Sequence, residues 1–368
     1  MSSTYLGLIS GTSADGVDAC AVSFGDDQQP ELHACLTLAY DEELRQKIFA
    51  VQNTPISIDE FGELDTRIGE HFAHTAAQLI DKLAIDSTSI VAIGSHGQTL
   101  KHRPDCNYPY SMQLGNPSLI AERTKITTVA HFRQKDIAAG GQGAPLVPAF
   151  HHAWLGHLEN TALLNLGGIA NLSLWDDSLP PTIKGFDTGP ANTLIDAWCS
   201  RHLNQPYDDD GLWARDGNID TDLLTKLLKH DYFQQPAPKS THIDQFSIQW
   251  LDGVLSTGVK IDPQDIAATL VELTAISVQQ ALRQSSVTID RVIVCGGGCK
   301  NSLLMERLRQ RLEPVSLEVS ESYGIGADWV EATAFAWLAK QTLSKRAGNI
   351  PAVTGALHAC ICGGIFYE

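Results

Sequence analysis

Two short stretches carry residues whose types and spacing point to chemistry. In GLISGTSADGVDACAV, Asp15 and Asp18 stand among glycine, serine and threonine between two apolar runs, Leu6–Ile9 and Val17–Phe24. The flanks are short and β-prone, so the stretch predicts strand, tight turn, strand. Glycines let such a turn bring bare backbone N–H groups toward an anion. Two carboxylates beside an anion call for a cation, and a phosphate with its magnesium supplies one, because hard cations take carboxylate oxygens or their bound waters. Taken alone, the stretch reads more simply as an ordinary hairpin with a polar turn. In the second stretch, GFDTGPAN, Asp187 precedes a strand break at Gly189-Pro190, and Asn192 opens a helix. A carboxylate at such a break can act as a general base. As a helix cap it would be redundant, since Asn192 and Thr193 sit nearer the helix start.

The elements that position these residues alternate between strand and helix. TALLNLGGIANLSLW, Thr161–Trp175, repeats the pattern of apolar strand, glycine-containing polar turn and apolar strand. Two similar hairpins, one opening each half, predict two domains on one plan with a cleft between them. Ile58–Leu83 has helical periodicity, and Ile90–Gly94 is a short strand running into GSHGQTLKHRP. Asp262-Pro263 caps a helix through Arg283, with Ile266, Leu270, Leu273 and Ile276 as its apolar stripe. RVIVCGGGCKNSLLMERLRQRLE reads as strand, triple glycine, helix. This alternation means α/β layers. The expected division is 1–135, completed by 345–368, and 136–344. The boundary is expected in RQKDIAAGGQGAPLVP, where charge, glycine and proline mix.

Composition bounds the function. At 368 residues, 43% hydrophobic and 19% charged, the chain has room for two globular cores. No apolar run has the length to span a bilayer, and MSSTYLGLISG lacks the basic and apolar regions of an export signal. A formal charge of −17 opposes binding to nucleic acid or an anionic membrane. Eight cysteines at these spacings form neither a disulfide framework nor a zinc ribbon, so free thiols in a reducing cytoplasm are expected. Self-association as a homodimer is allowed; the sequence does not determine the oligomeric state.

The glycine motifs narrow the chemistry. No G-x-x-x-x-G-K-[ST] occurs, and no G-x-G-x-x-G joins a first strand to a helix, which disfavours P-loop and Rossmann sites. Instead SGTSADGVD and NLGGIAN occupy hairpin turns, and CGGGCKN a strand-to-helix turn. Two facing turns would hold a polyphosphate, while the triple glycine lets backbone approach an adenine ring. This order resembles the actin, sugar-kinase and heat-shock-chaperone ATPase superfamily. Within it, GTSADGVD, SHGQT, DIAAGGQGAPLVP, NLGGIANL, GFDTGPAN and CGGGCKN together resemble the anhydro-N-acetylmuramic acid kinase family of bacterial cell-wall recycling, across essentially the whole chain. Departures are Ile9 and Ala14 in the first motif, Ala191 in GPAN, and PAPKSTHIDQF, which only partly matches the family's Lys-Ser-Thr-Gly-Arg-Glu stretch.

The resemblance implies two similar α/β domains of the actin-like ATPase (ribonuclease-H-like) type flanking a nucleotide-binding cleft. It implies ATP and Mg²⁺ as cofactors and a small amino sugar as substrate. Gly11, Thr12, Ser13, Ala14, Asp15, Gly16, Val17 and Asp18 would surround the phosphates, with Asp15 toward the metal. Asn165, Gly167, Gly168 and Asn171 of the second hairpin, and Gly296, Gly297, Gly298 and Asn301 of the third motif, complete the ATP set. Asp187 matches the family's catalytic aspartate, which activates a water against the anomeric carbon of the 1,6-anhydro sugar while O6 takes the γ-phosphoryl group. His96, Gln98 and Thr99 are expected at the substrate. Arg133 is shaped for a lactyl carboxylate, with a surface ion pair as the equal alternative. Glu331, amid the apolar GADWVEATAFAWLA helix, reads as either a solvated helix residue or a polar contact facing the cleft, the apolar neighbours favouring the second. Competing readings are a kinase for an ordinary sugar or hydroxy acid, in which Asp187 deprotonates a hydroxyl directly, and an actin-like filament or chaperone ATPase.

Overall fold

The computed structural model describes residues 3–11, 13–25, 28–83, 87–237, 239–241, 245–256 and 260–368. The chain divides into two compact units, Met1–Leu155 with Trp329–Glu368, and Gly156–Asp328. This corrects the expected boundaries, and the reasons are local. The glycine-rich segment expected to separate the domains is held inside the first unit by Asp136. That buried carboxylate accepts from the Gly143 backbone N–H, Asn349 Nδ2 and Thr354 Oγ1 at 2.7, 2.6 and 2.7 Å. The helix Val330–Leu343, expected in the second domain, packs on the first unit's sheet.

In the first unit, β1 (Thr4–Ser10), β2 (Gly16–Phe24) and β3 (Pro30–Ala39) form an antiparallel meander. β4 (Ile90–Arg103) lies parallel to β1 and β6 (Thr128–Ala130) parallel to β4. β5 (Tyr110–Leu114) folds back on β4, and β12 (Gly364–Phe366) pairs with β6. Strand side chains alternate between faces. Leu6 and Leu8 enter one apolar cluster with Ile68 and Phe72 of the helix Ile58–Leu83. Gly7, between them, faces the helix Val330–Leu343 so closely that a Cβ would lie 1.8 Å from the Ala332 carbonyl oxygen. Gly94 on β4 does the same at 2.0 Å from the Phe335 carbonyl oxygen. Two glycines and an alanine-rich helix thus allow backbone to meet backbone.

The second unit repeats the plan. β7 (Thr161–Leu166), β8 (Ile169–Trp175) and β9 (Ile183–Pro190) form an antiparallel meander. β10 (Arg291–Cys295) lies parallel to β7 and β11 (Ser316–Val319) parallel to β10. The order β3-β2-β1-β4-β6 in one sheet corresponds to β9-β8-β7-β10-β11 in the other. This repeated plan is that of the actin-like ATPase fold. The helix Pro263–Gln284 contributes Ile266, Leu270, Leu273 and Val278 to the core. Its buried Glu272 pairs with Arg307 and Arg311 of the helix Ser302–Leu312.

Candidate active site

Strand register assembles the polar residues of the second unit. Asn165 on β7 pairs with Asn171 on β8, and Asn171 pairs with Asp187 on β9, past a register shift between Ala170 and Asn171. Opposed residues project from the same face, so three polar groups from separate motifs form one row. The turn joining β7 to β8 is pinned to the helix Asn192–Leu203. The Gly168 carbonyl accepts from Ala191 and Thr193 N–H at 2.9 and 3.1 Å, and the Gly167 carbonyl from Asn192 N–H at 3.1 Å. Ala191 is the N-cap there, and no side chain caps the helix; Asn192 Nδ2 donates to the Leu166 carbonyl instead.

Asp187 is held by backbone. Its N–H donates to the Lys239 carbonyl at 2.9 Å, and its Oδ2 accepts from Thr241 N–H at 2.9 Å. Its carbonyl accepts from Tyr232 Oη at 2.8 Å. Lys239 Nζ lies 4.6 Å from the centre of the Tyr232 ring and donates to the Tyr232 carbonyl at 3.0 Å. Burial raises the Asp187 carboxyl to about 7, with the Thr241 N–H opposing. A single N–H cannot replace the water lost from a carboxylate, so the proton is kept to near neutral pH. Tyr232 and Thr241 were missed by sequence reasoning; only the partial Lys-Ser-Thr match touched this neighbourhood. Pro238 and residues 242–244 of that stretch lie outside the described residues.

The triple glycine divides into parts. Gly296, at φ 85°, has its Cβ direction blocked by Asn165 Oδ1 and the Leu166 carbonyl. Gly298 packs on the Leu166 side chain. These two glycines seat the third motif against the second hairpin. Gly297 has no neighbour within 4 Å of a Cβ position, which leaves room for a ligand. Asn301 caps the following helix by accepting from Leu304 N–H at 2.9 Å.

In the first unit, the turn after β1 is braced from β4. Gln98 Nε2 donates to the Gly11 carbonyl at 3.1 Å, and its Oε1 accepts from Ser10 Oγ at 2.5 Å. Thr99 Oγ1 accepts from Gln113 Nε2 at 3.2 Å. These two predicted substrate residues therefore hold scaffold positions. Ala14 is buried at φ 47°, Gly16 and Val17 are buried at the start of β2, and Gly11 and Ser13 are exposed. Thr12 lies outside the described residues. The exposed Asp15 carboxylate meets Arg45 Nη2 at 2.9 Å, and Asp18 accepts from Thr37 Oγ1 at 2.6 Å. An exposed carboxylate suits Mg²⁺, which keeps several waters and binds through one or two carboxylates plus substrate phosphates. Among the described residues, no group of three or more His, Cys, Asp or Glu could hold a metal.

His96, Arg133 and Glu331 form a second polar group. Arg133 Nε donates to His96 Nε2 at 3.0 Å, and Arg133 Nη1 donates to the Gly143 carbonyl at 2.9 Å. His96 Nε2 is thereby the acceptor, so Nδ1 carries the hydrogen and donates to the Gly97 carbonyl at 3.0 Å. Burial, then the Arg133 charge, holds His96 well below the ordinary histidine range, so the ring is neutral. Burial lowers Arg133 to about 10, against the pull of Glu331 and Asp136. Glu331, in the first turn of its helix, is raised by burial and by Asp18 and lowered by Arg133. A half-buried guanidinium on a neutral imidazole is not a surface ion pair. Its remaining N–H groups suit a carboxylate.

The chain matches the family described as anhydro-N-acetylmuramic acid kinase over residues 3–368. It is 48% identical to the anhydro-N-acetylmuramic acid kinase of Xanthomonas axonopodis pv. citri, with 98% of this chain and 97% of that one covered. It is 46% identical to the enzyme of the same name from Coxiella burnetii, at 99% and 97% coverage. Among solved structures it is similar to (R)-2-hydroxyglutaryl-CoA dehydratase component A from Acidaminococcus fermentans. The TM-score is 0.50 and the identity 12%, covering 93% of this chain and 99% of that one, a likeness of fold alone. Sequence similarity over nearly the full length, together with the repeated sheet plan, means that this chain belongs to the anhydro-N-acetylmuramic acid kinase family.

Proposed function

We propose that this chain uses ATP to open the 1,6-anhydro ring of anhydro-N-acetylmuramic acid and phosphorylate O6, yielding N-acetylmuramic acid 6-phosphate and ADP in peptidoglycan recycling. The carrying observation is Asp187, a carboxylate whose basicity sits near neutrality. Asp187 takes a proton from a water as the water oxygen bonds to C1. The C1–O6 bond breaks, O6 takes the γ-phosphoryl group, and the β–γ bridging oxygen leaves with ADP. A base with this basicity is about half ionised at neutral pH, and its ionised form accepts a proton readily.

Backbone N–H groups of both hairpin turns would meet the phosphates, and the open side of Gly297 the adenosine. Asp15 would hold Mg²⁺, which on binding neutralises phosphate charge. Arg133, oriented by His96, would pair with the lactyl carboxylate, and Glu331 would contact the sugar. The −17 charge and eight free thiols support a cytoplasmic enzyme that binds neither nucleic acid nor membrane. Among the described residues, no helix is long and apolar enough to cross a membrane.

The test is ADP release with the anhydro sugar against N-acetylglucosamine and N-acetylmuramic acid, run in heavy-oxygen water. Turnover confined to the anhydro sugar, with label at C1, is expected. Turnover of a reducing sugar without label would overturn the ring-opening reaction.

A further inference from the structure

The segment YDDDGLWARDG, residues 207–217, has no role in the reading above. Its fold is set by Asp208, a buried carboxylate that accepts from Trp213 and Ala214 N–H, both at 2.9 Å. The Asp208 carbonyl also accepts from Gly211 N–H at 3.1 Å. The loop so formed grips the start of the helix Ser302–Leu312. Asp210 Oδ1 accepts from Ser302 N–H and the Asp210 carbonyl from Ser302 Oγ, each at 3.1 Å. Gly211, at φ 69°, packs so tightly that a Cβ would lie 2.3 Å from Asn301 Oδ1, the atom that caps Leu304. Arg215 adds Nη2 to Ser302 Oγ at 3.1 Å and Nη1 to Glu306 at 2.8 Å.

A helix N-terminus that follows a glycine-rich turn is ordinarily an anion site. Here a resident carboxylate already occupies Ser302 N–H, and Asn301 occupies Leu304 N–H. An incoming phosphate would lose those donors and meet the Asp210 charge. Gly297, with its open side, lies only a few residues before this grip.

We propose that Asp210 is a positioning residue for the nucleoside end of the ATP site. Through Ser302 it holds the CGGGCKN turn in place, and its charge keeps anions off this helix so that the phosphates bind elsewhere. The proposal rests on the assignment of that turn to ATP. Asp210 has φ 54°, a conformation that glycine and asparagine adopt readily. Asp210→Gly therefore removes the carboxylate without backbone strain, and Asp210→Asn keeps an acceptor for Ser302.

In steady-state assays of the full chain, Asp210→Gly should raise the KM for ATP about fivefold or more, the scale of one lost hydrogen bond. Its kcat and sugar KM should stay unchanged. Asp210→Asn should stay within about twofold of native in ATP KM, since the hydrogen bond survives. Inorganic sulfate should inhibit Asp210→Gly in competition with ATP and leave the native chain unaffected. Unchanged ATP KM in Asp210→Gly, alongside weakened ATP binding in Gly297→Val, would overturn the proposal and leave the nucleotide assignment standing. If neither variant affects ATP, the assignment itself falls. A parallel rise in both KM values, or no gain of sulfate inhibition, also counts against the proposal.

Discussion

As the proposed base, Asp187 would couple catalysis to a cost in stability. Its folded-state value of about 7 lies above that of an unfolded aspartate, about 3.9. The folded chain therefore binds the extra proton between those limits. The stabilisation that comes with the proton is complete below about pH 4 and is lost as pH rises through 7. Asp187→Asn should lower the rate by on the order of a hundred- to ten-thousand-fold, while calorimetric titration finds ATP and sugar binding retained. Its melting temperature at pH 8 should equal or exceed the native value, with the margin shrinking toward pH 4. The native kcat/KM should rise with pH through about 7 and flatten above it, because only the ionised carboxylate accepts a proton. A profile flat from pH 5 to 8 would remove Asp187 as the base. Asp187 stood out in the sequence as a candidate because it sits beside a Gly-Pro strand break and matches the family motif. Thr241 and Tyr232 were not, since one contributes only its backbone N–H and the other reaches a carbonyl 45 positions away.

At the level of elements, close approach explains which glycines matter and in what way. Gly7→Ala or Gly94→Ala would push a methyl group into helix backbone that cannot yield. Each should destabilise the chain by about 1–3 kcal/mol or more, as forced overpacking does, read as a lower urea midpoint. Gly297→Val fills open space instead. It should fold normally and weaken ATP binding, and unchanged affinity in a folded variant would count against the adenosine assignment. Helical periodicity made Ile58–Leu83 visible, and the Asp262-Pro263 signal marked the start of the helix Pro263–Gln284, which runs one residue past the expected Arg283. β4 was expected to end at Gly94 but continues to Arg103. Polar SHGQT breaks the apolar pattern, yet Gln98 and Thr99 find partners on the turn after β1 and on β5. A strand whose polar groups are satisfied by its neighbours gives no hydrophobic signal of its own.

One unit is continuous in sequence, and the other is made of two segments that flank it along the chain. Both hairpins, and hence the repeated plan, were legible because each carries its own turn chemistry. The return point at Trp329 was not, because a helix rich in alanine does not reveal which sheet it covers. Residues 156–328 contain a complete sheet and an apolar core. Expressed alone, this span should melt in one cooperative transition. Residues 1–155 alone lack β12 and the helix over Gly7 and Gly94, and should show no such transition until 329–368 is supplied. Cooperative melting of 1–155 by itself would refute this. The glycine seam thereby sets an order of events at the ribosome. Domains generally fold as they emerge, the N-terminal one first; here the reverse is expected, since residues 1–155 lack β12 and the helix Val330–Leu343. The nascent first sheet should wait with one face bare while the second unit is translated. The seam that lets backbone meet backbone is thus also an interval of exposure, in which a chaperone has a surface to shield.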